Sequence, residues 1–145
     1  MAVDKNRQRH AARRAEAAIR AALEREQGDY RPAPREECDP SPVRYMPVDD
    51  SATLRIVTRI WRQSGRMTEF TFTVEAGDWG DADSWESLAR IDCKGGTCHE
   101  HPVGRLDDHV TLHRLDNIDD VQAVYPRAVS RINEIARMIR DRRPR

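Results

Sequence analysis

From position 90 to 101 the chain reads Arg-Ile-Asp-Cys-Lys-Gly-Gly-Thr-Cys-His-Glu-His, which gathers two thiols, two imidazoles, a carboxylate and a guanidinium around a double glycine. These are groups that bind metal ions or move protons. Gly95-Gly96 favours a two-residue hairpin turn, whose central positions need a positive φ. That turn sets Lys94 opposite Thr97, Cys93 opposite Cys98, Asp92 opposite His99 and Arg90 opposite His101. Side chains alternate between the faces of a β-ribbon, so the thiols and the imidazoles part company. A single tetrahedral ion cannot take all four while the ribbon stays regular. The four residues between the cysteines also depart from the usual paired-cysteine zinc spacing.

Each face then has its own expected use. Cys93 and Cys98 share a side with Ala89 and Ile91 and read as small fillers of a core. Glu100 has the same parity and fits a core poorly, so the hairpin is expected to protrude there. Arg90, Asp92, His99 and His101 share the opposite side. In the following strand Val110 and Leu112 read as inward, which turns His109, Thr111 and His113 to the imidazole side as well. Two histidines with Arg90 or Lys94 suit general acid–base work on a phosphoryl group without any cofactor, as in metal-independent RNA cleavage. The alternative is a divalent transition metal, zinc first, held by Asp92, His99, His101 and His113. A polar solvent-facing sheet surface would account for the same residues with no chemistry at all.

The elements that must position these residues follow from pattern. Residues 1–28 are rich in Ala and Arg, with Ala11, Ala15, Ala18, Ile19, Ala22 and Leu23 at helical spacing, and predict a helix that Gly28 ends. Residues 29–51 carry five prolines and predict an extended linker. Residues 52–145 predict an α+β domain. In it, alternation gives strands at 54–61, 70–74, 85–93, 98–103 and 109–115, with a polar loop over 77–83. Over 119–142 Val121, Val124, Tyr125, Ala128, Ile132, Ile135, Ala136 and Ile139 fall on one helical face. Asn117, Asp119 and Asp120 suit its start, and Pro126 should kink or interrupt it near Tyr125. The expected fold is an antiparallel meander of about five strands with this helix packed on one face, plus a helical N-terminal arm.

Composition narrows the function. The 145 residues suffice for one domain with a modest core, and their net charge is zero. That zero hides an asymmetry. Residues 1–27 hold seven basic and four acidic residues (+3), and residues 127–145 hold seven and two (+5), which leaves −8 between them. Basic ends suit an anionic partner, and Lys94, Arg137 and Arg140 are the expected phosphate contacts on RNA or DNA. No run approaches the length of a membrane helix, and the sequence opens on no apolar leader. Three cysteines do not make a secreted disulfide framework, so a cytoplasmic setting is expected. Only 6% of residues are aromatic and most read as buried, which argues against a platform of exposed stacking rings. A non-catalytic role is the second expectation, with residues 1–28 docking on a protein partner or a second copy.

The string Trp85-Glu86-Ser87-Leu88-Ala89-Arg90-Ile91-Asp92, followed by Gly95-Gly96 and His99-Glu100-His101, resembles an uncharacterised family of small bacterial and phage proteins. Their pattern is a tryptophan, an Arg-aromatic-Asp strand end, a glycine turn, an H-x-H pair and a closing helix. More remotely it is similar to toxins of the TumE type from toxin–antitoxin pairs. The likeness spans roughly residues 53–140 and marks Arg90, Asp92, His99 and His101. Ile91 stands where the pattern has an aromatic, and Cys93 and Cys98 where it asks for no cysteine. The resemblance implies a toxin-like or accessory module that engages nucleic acid.

Overall fold

Two tight turns set the register of the sheet. Ser64 and Gly65 (φ 52° and 79°) form one, and Gly95 and Gly96 (φ 63° and 76°) form the other. Such left-handed pairs match the twist of antiparallel strands. The computed structural model describes residues 4–143, apart from the side chains of Leu23 and Glu24. In chain order the elements are α1 (Lys5–Glu26), β1 (Arg44–Pro47), β2 (Leu54–Gln63), β3 (Arg66–Asp78), β4 (Asp81–Lys94), β5 (Thr97–His101), β6 (Val110–Arg114) and α2 (Ile118–Arg142). The six strands pair antiparallel in sequence order, a pure meander.

α2 crosses β2, β3 and β4 on one face, and the core lies between. Leu54, Ile56, Ile60, Phe70, Phe72, Val74, Ala89 and Ile91 meet Val121, Val124, Ala128, Ile132, Ile135 and Ala136 there. At roughly 25 cal/mol per Å² of apolar surface removed from water, this layer is the main stabilising term. Asn117 caps α2 through a reciprocal box with Asp120. The helix runs unbroken through Pro126, contrary to the interruption expected near Tyr125. Pro126 is exposed, so the carbonyl it leaves unpaired can be solvated, while buried residues on both sides hold the helix to the sheet.

Three further differences concern the strands. Residues 29–51, read as a linker, are docked on the domain and supply a sixth strand. The Tyr30 hydroxyl donates to the Thr68 carbonyl at 2.6 Å, and β1 pairs with the edge of β2. Pro47 is tolerated because β1 is an edge strand. The loop read over 77–83 is instead the tip of the β3–β4 hairpin, closed by an Asp78–Asp81 pair. β5 stops at His101 because Pro102 has no amide to donate to a ladder. α1 forms as expected, but its described side chains are exposed as far as Arg20 and it meets the body only near its C-terminal end.

Candidate functional site

The β4–β5 ribbon has the register read from its turn: Arg90 opposite His101, Asp92 opposite His99, Cys93 opposite Cys98 and Lys94 opposite Thr97. Cys93 and Cys98 lie in the core beneath α2. The Cys93 sulfur beside it, together with burial, pushes the Cys98 thiol up, which keeps it protonated and unreactive. Glu100 does not make the hairpin protrude. It is buried, and α2 lends it Arg131, whose Nε and Nη2 donate to the two carboxylate oxygens at 2.6 and 3.1 Å.

On the opposite face Asp92, His99 and His101 are 9, 7 and 9% exposed. Nε2 of His99 lies 2.6 Å from Asp92 Oδ1, and Nε2 of His101 lies 3.6 Å from Asp92 Oδ2. Arg90 Nε approaches Oδ2 at 2.9 Å, and its Nη2 sits 3.3 Å from His101 Nε2. These are close ionic approaches with poor alignment, for neither Arg90 Nε nor Asp92 Oδ1 has a hydrogen-bond partner. Burial pushes the Asp92 carboxyl up, but the His99 contact and the charges of His99, Arg90 and His101 outweigh it and hold the group below the usual carboxylate range.

The outer ring nitrogens are also placed. His101 Nδ1 meets the carbonyls of Leu106 and Asp108 at 2.7 and 3.0 Å, so residues 102–108 fold over the ring. His99 Nδ1 meets Thr97 Oγ1 at 2.9 Å, and that hydroxyl donates to the Lys94 carbonyl at 3.0 Å. His109 packs beside both rings, with centroids 5.1 Å from His99 and 6.4 Å from His101. His113 does not join them. A register shift between Cys98 and His99 makes Leu112 an extra residue in β6, and His113 falls opposite Cys98, 4.0 Å from Asp120 of α2. The imidazole face therefore carries His99, His101 and His109, and the four-residue metal set loses His113.

The ladder continues this face across the sheet. Arg59 pairs with Thr71 and Thr71 with Asp92, while Thr73 pairs with Arg90. A groove of about 770 Å³ runs over these strands, lined by Arg59, Trp61, Thr71, Thr73, Arg90 and Lys94 among others. Lys94 thus keeps its expected place near the site. Arg137 and Arg140 do not: they are exposed on α2, across the sheet, and Arg140 is engaged by Asp141 at 3.0 Å. One surface cannot use all three.

Aromatic rings on the open face were missed from sequence. Tyr45 and Trp79 are 48 and 44% exposed. With Trp85 they surround the Arg55 guanidinium at 4.5, 4.9 and 3.6 Å, and Arg35 lies 3.9 Å over Trp61. Tyr45 belongs to the strand hidden among prolines and Trp79 to the hairpin tip read as loop, so no alternation signalled their side. Comparison with protein-family models, with curated proteins and with solved structures finds no match to this chain.

Proposed function

We propose that the open face of the sheet binds single-stranded nucleic acid, the molecular form that a toxin-like or accessory role would take. The observation that carries this reading is the groove, where cations and an aromatic ring lie side by side on the face that α2 leaves uncovered. Arg59 and Lys94 have no ion-pair partner among the described residues and are free for phosphates. Exposed Tyr45 and Trp79 offer faces on which bases stack, and every base has such a face. The reading is for binding rather than histidine-driven cleavage, because His99 and His101 are both buried and residues 102–108 fold over His101.

Fluorescence anisotropy with labelled single-stranded RNA, single-stranded DNA and duplex tests this. Affinity for single strands is expected to fall with salt, each phosphate contact adding about −0.7 to the log–log slope. Arg59→Ala and Lys94→Ala should each flatten the slope by about that amount, and Trp79→Ala should weaken binding at every salt concentration. Binding that ignores all three substitutions would sink the proposal.

A second reading rests on α1. Its 22 residues project with Ile19 62% exposed, a form suited to a helix that docks in a partner's groove or on its own copy. Light scattering should then report an assembly that disappears on deletion of residues 1–26. An unchanged mass would dismiss it.

A further inference from the structure

We infer that Asp92, His99 and His101 form a binding site for one divalent transition-metal ion, with a carboxylate oxygen of Asp92 and Nε2 of each ring as ligands. One ring nitrogen from each histidine and one Asp92 oxygen lie within 4.8 Å of one another, and all three residues are buried. The inference stands apart from nucleic-acid binding and needs none of it.

The Nδ1 of His101 has only backbone carbonyls to meet, so it carries a hydrogen, and Nε2 is the ring atom left to bind a metal ion. Thr97 has a single hydroxyl hydrogen and gives it to the Lys94 carbonyl, so its oxygen accepts from His99 Nδ1. A neutral His99 is then bare at Nε2. Nε2 of both rings thus faces the Asp92 carboxylate, whose Oδ1, though 2.6 Å from His99, has no well-aligned hydrogen-bond partner among the described residues. Two ring nitrogens and a carboxylate oxygen converge in a buried space, where the donor in reach is Arg90 Nη2, 3.3 Å from His101 Nε2. Such crowding is costly unless a cation joins them. The Arg90 guanidinium reaches Asp92 Oδ2 and His101 Nε2 but not the His99 side, where the cation is either a second proton on His99 or a metal ion.

The outer contacts favour the metal. A ligating histidine characteristically donates its other N–H to a carbonyl, carboxylate or water, which fixes the ring for the ion. His101 does this to Leu106 and Asp108, and His99 does it to the Thr97 hydroxyl. Arg90 holds the second Asp92 oxygen. Its Nη2 is also the present neighbour of His101 Nε2 and would give up that contact to the ion, the side chain being 40% exposed and so having solvent to turn into. Two imidazoles and one carboxylate suit zinc or another first-row divalent ion, and three protein ligands leave a position open. His109 and His113 are not in the set. The buried thiols face the core on the other side of the ribbon.

The test uses the full chain stripped with chelator. Titration with Zn²⁺ by calorimetry should give one ion per chain, and Co²⁺ should give a visible d–d spectrum without a thiolate charge-transfer band. His101→Ala and Asp92→Asn should lose the ion, while His109→Ala and His113→Ala retain it. Thr97→Val, which removes only an outer contact, should weaken affinity about 10- to 100-fold. Because the ligand residues are buried and their replacement also perturbs the fold, imidazole ¹⁵N spectra of the wild-type chain provide an independent readout. Zinc should move Nε2 of His99 and His101 and spare His109. Absence of stoichiometric binding, a Co²⁺–thiolate band, or a His99 ring that stays doubly protonated with excess zinc would each overturn the inference.

Discussion

At position 100 a carboxylate stands where strand alternation asks for an apolar side chain, and its burial is tolerated only because Arg131 reaches it from α2 with two hydrogen bonds. Removing the guanidinium would strand a charge that water reaches poorly. Arg131→Ala is therefore expected to cost about 2–3 kcal/mol in urea unfolding. Replacing Glu100 and Arg131 together by leucine should recover most of that loss, since an apolar pair of similar size needs no desolvation of charge. An Arg131→Ala protein with an unchanged midpoint would mean that the carboxylate has another partner. Neither this pair nor the Thr97 contact to His99 was legible beforehand. Alternation reports which side a residue faces, but not which distant element supplies its partner.

Among the elements, the turn before β2 is tied by Asp49. Its Oδ2 accepts from Ser51 and Thr53 hydroxyls at 2.7 and 2.8 Å, and its Oδ1 from the Leu54 amide at 3.1 Å. Burial pushes this carboxyl up, yet the hydrogen bonds outweigh it and leave the group below its usual range. A carboxyl lowered in the folded state stabilises fully above its unfolded value and loses that contribution as pH falls through the folded value. The stability gap between wild type and Asp49→Asn should accordingly be widest near neutrality and shrink below about pH 4. A gap that stays constant down to about pH 2.5 would contradict this account. The β4–β5 register was readable from sequence because Gly95-Gly96 admits one tight turn and so pins every pair behind it. β6 was only partly readable. Its bulge adds a residue without a glycine or proline to mark it, and this is why His113 was assigned to the wrong face. The strand at Arg44–Pro47 was hidden because proline-rich segments read as linkers, although an edge strand needs donors on one side only.

On the scale of the whole molecule, the meander and its helix followed from periodicities of two and 3.6, which burial on a single face imposes. The charge layout was less informative. Basic ends suggested contacts with an anionic partner shared by Lys94, Arg137 and Arg140, but α2 carries Arg137 and Arg140 on the far side of the sheet from Lys94. No helix among the described residues is long and apolar enough to cross a membrane. The boundary between arm and body also moves. Deleting residues 1–26 should leave the thermal midpoint nearly unchanged, because α1 contributes little to the core. Deleting residues 1–47 should lower it markedly, since Tyr30 and the edge strand go with it. Circular dichroism melts of the two truncations check this, and equal midpoints would show that residues 27–47 carry no weight.

A single oxygen decides how these parts communicate. The Gly96 carbonyl accepts from the amides of Gly28 and Leu115 at 2.9 and 2.8 Å, and a methyl group on Gly96 would sit 2.1 Å from the Gly28 carbonyl oxygen. The projecting rod is thus moored to the tip of the ribbon that bears Asp92 and His99, rather than to the packed layer under α2. Tension applied to residues 5–26 passes through the Arg25 and Glu26 contacts with β6 and then reaches that mooring, so whatever grips the rod also has a lever on the carboxylate and imidazoles a few residues away.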